Sequence, residues 1–362
     1  MSKYSEEEKA AFRAEEDKKI EDMKVRLLAE GREVDYELHD DFTLRRFLRA
    51  RGGDLDKAYD MFTASLQWRK EHGVDTIRET APRDNKNFAL LVKYWPGRMY
   101  KTDKTGVPVY YERIGAVDVK GLVSSVPAED ITSFHIHQQE EARALKQRLS
   151  KEAGKSMYAN IVVEDLAGLG MSHMYTPGID LFKKIIAMDQ NNYPDTLKVK
   201  IMGGDYKDAL LEVIDEENLP EEYGGKSTCE GGCVPGGGKF CDQKDDGTSY
   251  NPLQATVGRK DTFEAKLNID REGSTLSWEF STKSHDIGFG VFYSPDGEAK
   301  NRETVVGSER FNAHESTVQG HLVAKRAGTY ILQWDNTYSY MKSKALTYQI
   351  FISPPSESDT TA

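Results

Sequence analysis

Three textures of hydrophobic and polar positions follow one another along the 362 residues. To about residue 80 the apolar positions recur with helical spacing. In DDFTLRRFLRARGGDLDKAYDMFTASLQWRKEHG, Leu44, Phe47 and Leu48 stand at i, i+3 and i+4 behind Asp41 as a cap. Gly52 and Gly53 stop that helix, and Asp54 starts another that carries Ala58, Met61, Phe62, Ser65 and Leu66 on one stripe. Short amphipathic helices joined at a glycine pair predict a small helical subdomain.

From about residue 88 short apolar runs alternate with helical stretches. GVPVYYERI (106–114) alternates as a half-buried strand does, and ANIVVEDL (159–166) is a continuous run of the kind covered on both faces. Between them AEDITSFHIHQQEEARALKQRLS reads as a helix opened by Asp130. PGIDLFKKIIAMDQNN reads as another, with Ile179, Phe182, Ile185, Ile186 and Asp189 on its stripe. A further strand-like run begins at Val199. Strand and helix in alternation predict βαβ units and a mainly parallel sheet.

Residues 226–252 are rich in Gly and polar residues and read as a linker. Beyond them DTFEAKLNI, STLSWEFSTKS, DIGFGVFYS, TYILQWDNT and ALTYQIFIS alternate with turn signals, which predicts an all-β sandwich of about 100 residues. PPSESDTTA closes the sequence as a disordered tail.

A net charge of −11 argues against nucleic acid as the main partner. No run approaches the roughly 20 apolar residues of a membrane span, and the charged N-terminus lacks a signal-peptide core, so a cytoplasmic protein is expected. The three cysteines, Cys229, Cys233 and Cys241, share the Gly-rich segment; an odd number in a reducing compartment reads as free thiols. A zinc site would need a fourth ligand, and that segment contains no His.

Catalytic signatures are missing. GGKS ends at Ser227, but a phosphate loop requires Gly where Pro220 stands. His135 and His137 lie two apart on a helix and face different ways, so they cannot share a metal. Glu164 and Asp165 end a strand, where open sheets bind ligands, yet adjacent residues point to opposite sides. No enzyme, cofactor or metal is therefore expected. Tyr110, Tyr111, Met171, Met174, Tyr175, Phe182 and Met188 each fit a packed core singly; together they also fit the lining of an apolar cavity.

Longer blocks carry a resemblance. FTLRRFLRARGGDLDKAYDMFTASLQWRKEHGVDTI, KTDKTGVPVYYERIGAVDVKGL, IVVEDLAGLGMSHMYTPG, NNYPDTL and LLEVIDEENLPEEYGGK together resemble the CRAL-TRIO lipid-transfer family. DIGFGVFY, RFNAH and GTYILQWDNTYSYMKSKALTYQI resemble the GOLD domain that follows it in the tocopherol-associated subgroup. The resemblance implies a helical N-terminal part (1–80), an α/β lipid-binding domain (81–228), a linker (229–252), a GOLD-like β-sandwich (253–354) and a tail (355–362). It implies a carrier of a phospholipid or of a tocopherol- or squalene-like isoprenoid, transient docking on membranes, and a protein partner for the GOLD-like domain; a non-transferring adaptor is the alternative.

Site residues follow the same resemblance. Tyr110 and Ser172 match positions beside the headgroup in phosphatidylcholine-binding members. Arg51, Asp195 and Lys198 match positions associated with phosphoinositide headgroups, where a cation pairs with phosphate. Tyr175 and Phe182 join them as lipid-binding candidates. Gly52 stands where phosphoinositide binders carry Lys, which weakens that ligand class. The larger departure is at the join: NNYPDTLK runs directly into VKIMGGDYKDALLEVI, without the strand and gate helix that the family places between. The expectation is a shortened form of a lipid carrier, either a splice variant or an incomplete gene model, with impaired retention of its ligand.

Overall fold

The computed structural model of the chain describes residues 5–155, 157, 161–194, 205–229, 232–234, 236–237, 253–295, 297 and 301–355. They form two compact units: Met1–Ile114 with Val126–Ala167 and Lys183–Gly237, and Gly115–Ser125 with Gly168–Phe182 and Gly238–Ala362.

The first unit opens with α1 (Glu6–Ala29), α2 (Asp41–Ala50) and α3 (Leu55–Glu71). Ser5 and Glu8 close a capping box on α1, the Ser5 hydroxyl accepting from Glu8 N–H and the Glu8 carboxylate from Ser5 N–H. The cap of α2 is Asp40, one residue before the expected Asp41, and its carboxylate accepts from Thr43 N–H at 3.0 Å. Gly52 and Gly53 take left-handed φ of +63° and +80°, so the chain reverses there at no steric cost, and Asp54 caps α3 as read from the sequence. Leu27, Leu44, Phe47, Leu48 and Phe62 interlock as the core of the helical subdomain.

Next come α4 (Ile77–Asp84), α5 (Phe88–Tyr94), β1 (Gly97–Thr102) and β2 (Pro108–Glu112); α6 (Val119–Ser125) belongs to the second unit. The long α7 (Ala128–Ala153), β3 (Ile161–Glu164), α8 (Thr176–Asn192) and α9 (Tyr206–Val213) follow. Asp130 lies in the first turn of α7, which starts behind Pro127, so it complements the helix dipole instead of capping.

The sheet runs β1-β2-β3, antiparallel then parallel. Strand alternation divides β2: Val109 and Tyr111 are fully buried with Leu210, Ile214, Leu219, Tyr223 and Val234, while Tyr110 faces the other way. Tyr111 stacks on Tyr223 with ring centres 5.5 Å apart. The expectation that β3 is covered on both faces fails. Its Ile161, Val162 and Val163 are only half-buried, and among the described residues it pairs with β2. Residues 195–204, which include the strand-like run after Lys198, lie outside the described residues.

Free thiols are also corrected. Cys229 and Cys233 form a disulfide, with Cα atoms 5.0 Å apart. The turn at Gly232, φ +93°, brings two residues four apart to disulfide spacing. Cys241 lies outside the described residues. Cys233 and Val234, inside the Gly-rich segment, are buried.

In the second unit β4 (Leu253–Val257), β5 (Thr262–Ile269), β6 (Thr275–Thr282), β7 (Ile287–Ser294), β8 (Glu303–Phe311), β9 (Val318–Val323), β10 (Gly328–Asp335) and β11 (Lys344–Ser353) form two antiparallel sheets. Their orders are β5-β10-β7-β8 and β4-β11-β6-β9. The five strands expected from alternation are present. The other three, β4, β8 and β9, are largely exposed and carry too few apolar positions to announce themselves.

Candidate ligand-binding site

Helix α7 has two working faces. Phe134, Gln138, Glu141, Leu145 and Arg148 repeat with the helical period and line one side of a cavity of about 700 Å³, wholly within the first unit. Its opposite wall comes from Arg78 of α4, Phe88 and Val92 of α5, Trp95, Gly97, Arg98 and Met99 at β1, and Tyr110 of β2. Phe134 and Ala142 are buried at depth, whereas Val92 is 56% exposed, so the cavity opens to solvent past α5.

One polar cluster lies at the floor. Trp95 Nε1–H donates to Glu112 Oε1 at 2.6 Å, the Tyr110 hydroxyl donates to the same oxygen at 3.2 Å, and Gln138 Nε2 lies 3.5 Å from that hydroxyl. Burial raises the Glu112 carboxyl above the usual carboxylate range, against the pull of the Trp95 hydrogen bond. Burial and the Glu112 charge push the Tyr110 phenol up as well. Gly97 makes this arrangement sterically admissible, since a Cβ there would come within 2.9 Å of the Tyr110 ring.

The rim is charged. Arg78 donates to Glu141 at 2.7 Å, and two more exposed arginines line the cavity, Arg98 with its guanidinium over the Tyr100 ring and Arg148 beside Glu152. His137 sits edge-on to Phe88 at 4.9 Å, and burial holds its imidazole below the ordinary range.

The other face of α7 is fastened by buried charge. Arg69 of α3 grips Glu140 with bonds of 2.8 and 3.3 Å, Arg143 adds 2.7 Å, and the Tyr193 hydroxyl donates at 2.9 Å. Burial works to raise the Glu140 pKa, but the hydrogen bonds and charges of the two arginines outweigh it and hold the carboxyl below its usual range. Arg46 of α2 donates to the Pro194 carbonyl at 2.8 Å. The NNYP turn is thus a structural clamp, with Tyr193 and Pro194 locking it to α7 and α2. His135 faces Asp189 at 2.9 Å and His137 the cavity, in keeping with their two-residue spacing.

Tyr110 is the sequence-derived candidate that lines the cavity. Arg51 is exposed at the end of α2; Ser172, Tyr175 and Phe182 belong to the second unit and do not line it. Asp195 and Lys198 lie outside the described residues. Of the apolar set, Tyr111 is in the core, while Met174 and Phe182 are 63% and 55% exposed. Sequence reasoning passed over Trp95, Glu112, Gln138 and the rim arginines; the stripe along α7 was the one local signal for them.

A helical subdomain preceding a small mixed sheet is the arrangement found where family models match: residues 7–64 fit the CRAL/TRIO N-terminal domain, and residues 93–202 the CRAL/TRIO domain. The α/β unit is a CRAL/TRIO domain. A CRAL-TRIO domain-containing protein of Caenorhabditis elegans, T23G5.2, is 28% identical over 82% of this chain and 53% of its own length. The Arabidopsis thaliana phosphatidylinositol/phosphatidylcholine transfer protein SFH12 is 32% identical over 61% of this chain and 46% of its own. The chain thus spans about half the length of these curated relatives. The crystal structure of Sfh5 aligns over 57% of this chain and 78% of that one at 15% identity, with a TM-score of 0.40, too low to carry detail. Within the CRAL/TRIO domain, the described cavity is bounded by α7, α5 and the β1–β2 hairpin.

Proposed function

We propose that the CRAL/TRIO domain takes up a lipid with one long apolar body and an anionic head, and releases it at membranes without covalent chemistry. The observation that carries this reading is the cavity itself: aromatic and aliphatic walls, one self-satisfied polar cluster at the floor, and arginines at the rim. Leaving about 16 methylenes in water would cost on the order of 13 kcal/mol, which is the need that an enclosing carrier meets. A relative named as a phosphatidylinositol/phosphatidylcholine transfer protein supports lipid handling in general.

Retention is weak in this reading. Pro194 and Asp205 are separated by ten residues, too few for both a strand and a gate helix, and the rim is open at Val92. The sandwich is GOLD-like in the same reading, on the strength of DIGFGVFY and RFNAH. The protein would act in the cytoplasm as a peripheral visitor to membranes.

Titration with a fluorescent long-chain fatty acid, alongside native mass spectrometry of the purified chain, tests both parts. Expected are little co-purifying lipid, saturable binding of the probe, and at least ten-fold weaker binding by Ala144→Trp, which fills the cavity. Stoichiometric lipid that survives purification would overturn weak retention. No saturable binding, or unchanged binding by the Ala144 variant, would overturn the site.

A further inference from the structure

One end of the β-sandwich holds an apolar tip among cations. In the loop from residue 336 to 343, between β10 and β11, Tyr340 is 72% and Met341 88% exposed. The loop is firmly built. Asn336 is fully buried, and its Nδ2 lies 2.9 Å from the carbonyls of both Gly258 and Lys342 and 3.3 Å from that of Val257. The Lys260 N–H is shared between the Asn336 and Ser339 carbonyls at 3.1 Å, and the Ser339 hydroxyl donates to the Lys342 carbonyl at 3.0 Å. A loop so braced holds its two apolar side chains outward.

Charge gathers around them. Lys260 Nζ lies 3.6 Å from the Tyr340 ring centre, and Lys342 Nζ is 3.0 Å from His285 Nε2. Adjoining loops and strand ends bring Arg259, Lys283 and Arg310 to this end, with Lys344 buried beneath them, against Asp261, Asp286, Glu315 and Asp335, whose carboxylate accepts from Thr337 N–H inside the loop. Asp286 is already engaged by both Arg310 and Lys344. In a chain of net charge −11, this end reverses the prevailing sign.

We infer that this loop end docks the chain on an anionic bilayer, Tyr340 and Met341 entering the interface while Lys260, Lys342 and their neighbours meet lipid phosphates. A convex tip of two apolar residues is too small for the roughly 800 Å² per side of a stable protein interface, but it suits insertion between headgroups. The inference does not rest on the cavity's holding a lipid.

Flotation of the full chain with vesicles of phosphatidylcholine alone, and of phosphatidylcholine and phosphatidylserine in equal parts, tests it. Binding is expected to the mixed vesicles, to fall with added salt, and to weaken at least ten-fold both in Tyr340→Ser/Met341→Ser and in Lys260→Glu/Lys342→Glu. These side chains are exposed, and circular dichroism of each variant should match the parent. Wild-type failure to float, or unchanged flotation of both variants, would overturn the inference and leave an acidic protein surface as the occupant of this end.

Discussion

The two units are held together differently. In the sandwich, apolar residues of both sheets form one continuous core around Trp334, which meets the rings of Phe289 at 5.3 Å and Tyr348 at 4.9 Å and is fully buried. In the CRAL/TRIO unit the buried apolar residues, among those described, include one cluster among α1–α3, one under β2 and one around Ile77 and Ile136. Between them run the Arg69–Glu140–Arg143–Tyr193 bonds. Non-directional burial closes a sheet pair completely. Directional bonds can instead pin one face of a helix while the other is left free to line a cavity.

That contrast can be broken at its strongest points. Glu140→Ala leaves two buried arginines without their shared carboxylate and should destabilise the CRAL/TRIO unit by about 3–5 kcal/mol. Trp334→Ala opens a void in the sandwich core and should cost that unit about 3–5 kcal/mol. Calorimetry of the full chain should show two transitions, each lowered by one of the substitutions and not by the other. A single transition moved equally by both would show that the two cores melt as one.

A smaller effect sharpens the comparison through pH. Burial, and then the charges of Arg69 and Arg143, lower the His39 pKa to about 4. The unfolded imidazole titrates near 6.5, so between about pH 6.5 and 4 the unfolded chain binds a proton that the folded one does not. Stability of the CRAL/TRIO unit should therefore fall with falling pH across that window, by up to about 3 kcal/mol, and be unaffected by this group above it. His39→Gln should remove that slope in urea unfolding followed at several pH values, while leaving the sandwich transition alone. An unchanged slope would place the acid sensitivity elsewhere.

Much of the architecture was readable from the residues. The Gly52–Gly53 stop, the Asp54 cap and the stripe of α3 are local signals, and they agree with the structure because a helix is specified by neighbours three and four apart. The same holds for the five alternating strands of the sandwich, whereas Tyr110 and Tyr111, grouped as one lining set, are parted by strand alternation across β2. Where burial is one-sided and regular, pattern suffices. The edge strand β8 eluded the pattern because it exposes most of its positions, and β3 misled it because an apolar run does not reveal how far each of its side chains is covered.

The candidate site shows the division more sharply. Sequence alone determined that residues 128–150 form a helix, that His135 and His137 face apart, and, through motifs, that Tyr110 belongs among the binding candidates. Only the tertiary structure decided that Arg78, Trp95, Gly97 and Tyr110 converge on Phe134 and Leu145, that Glu140 is the buried anchor of its helix, and that NNYP is a clamp. The physical reason is range. Helix and strand periods are set by contacts a few residues apart, whereas a cavity and an ionic clamp are made by side chains whose partners are brought to them only when distant elements pack.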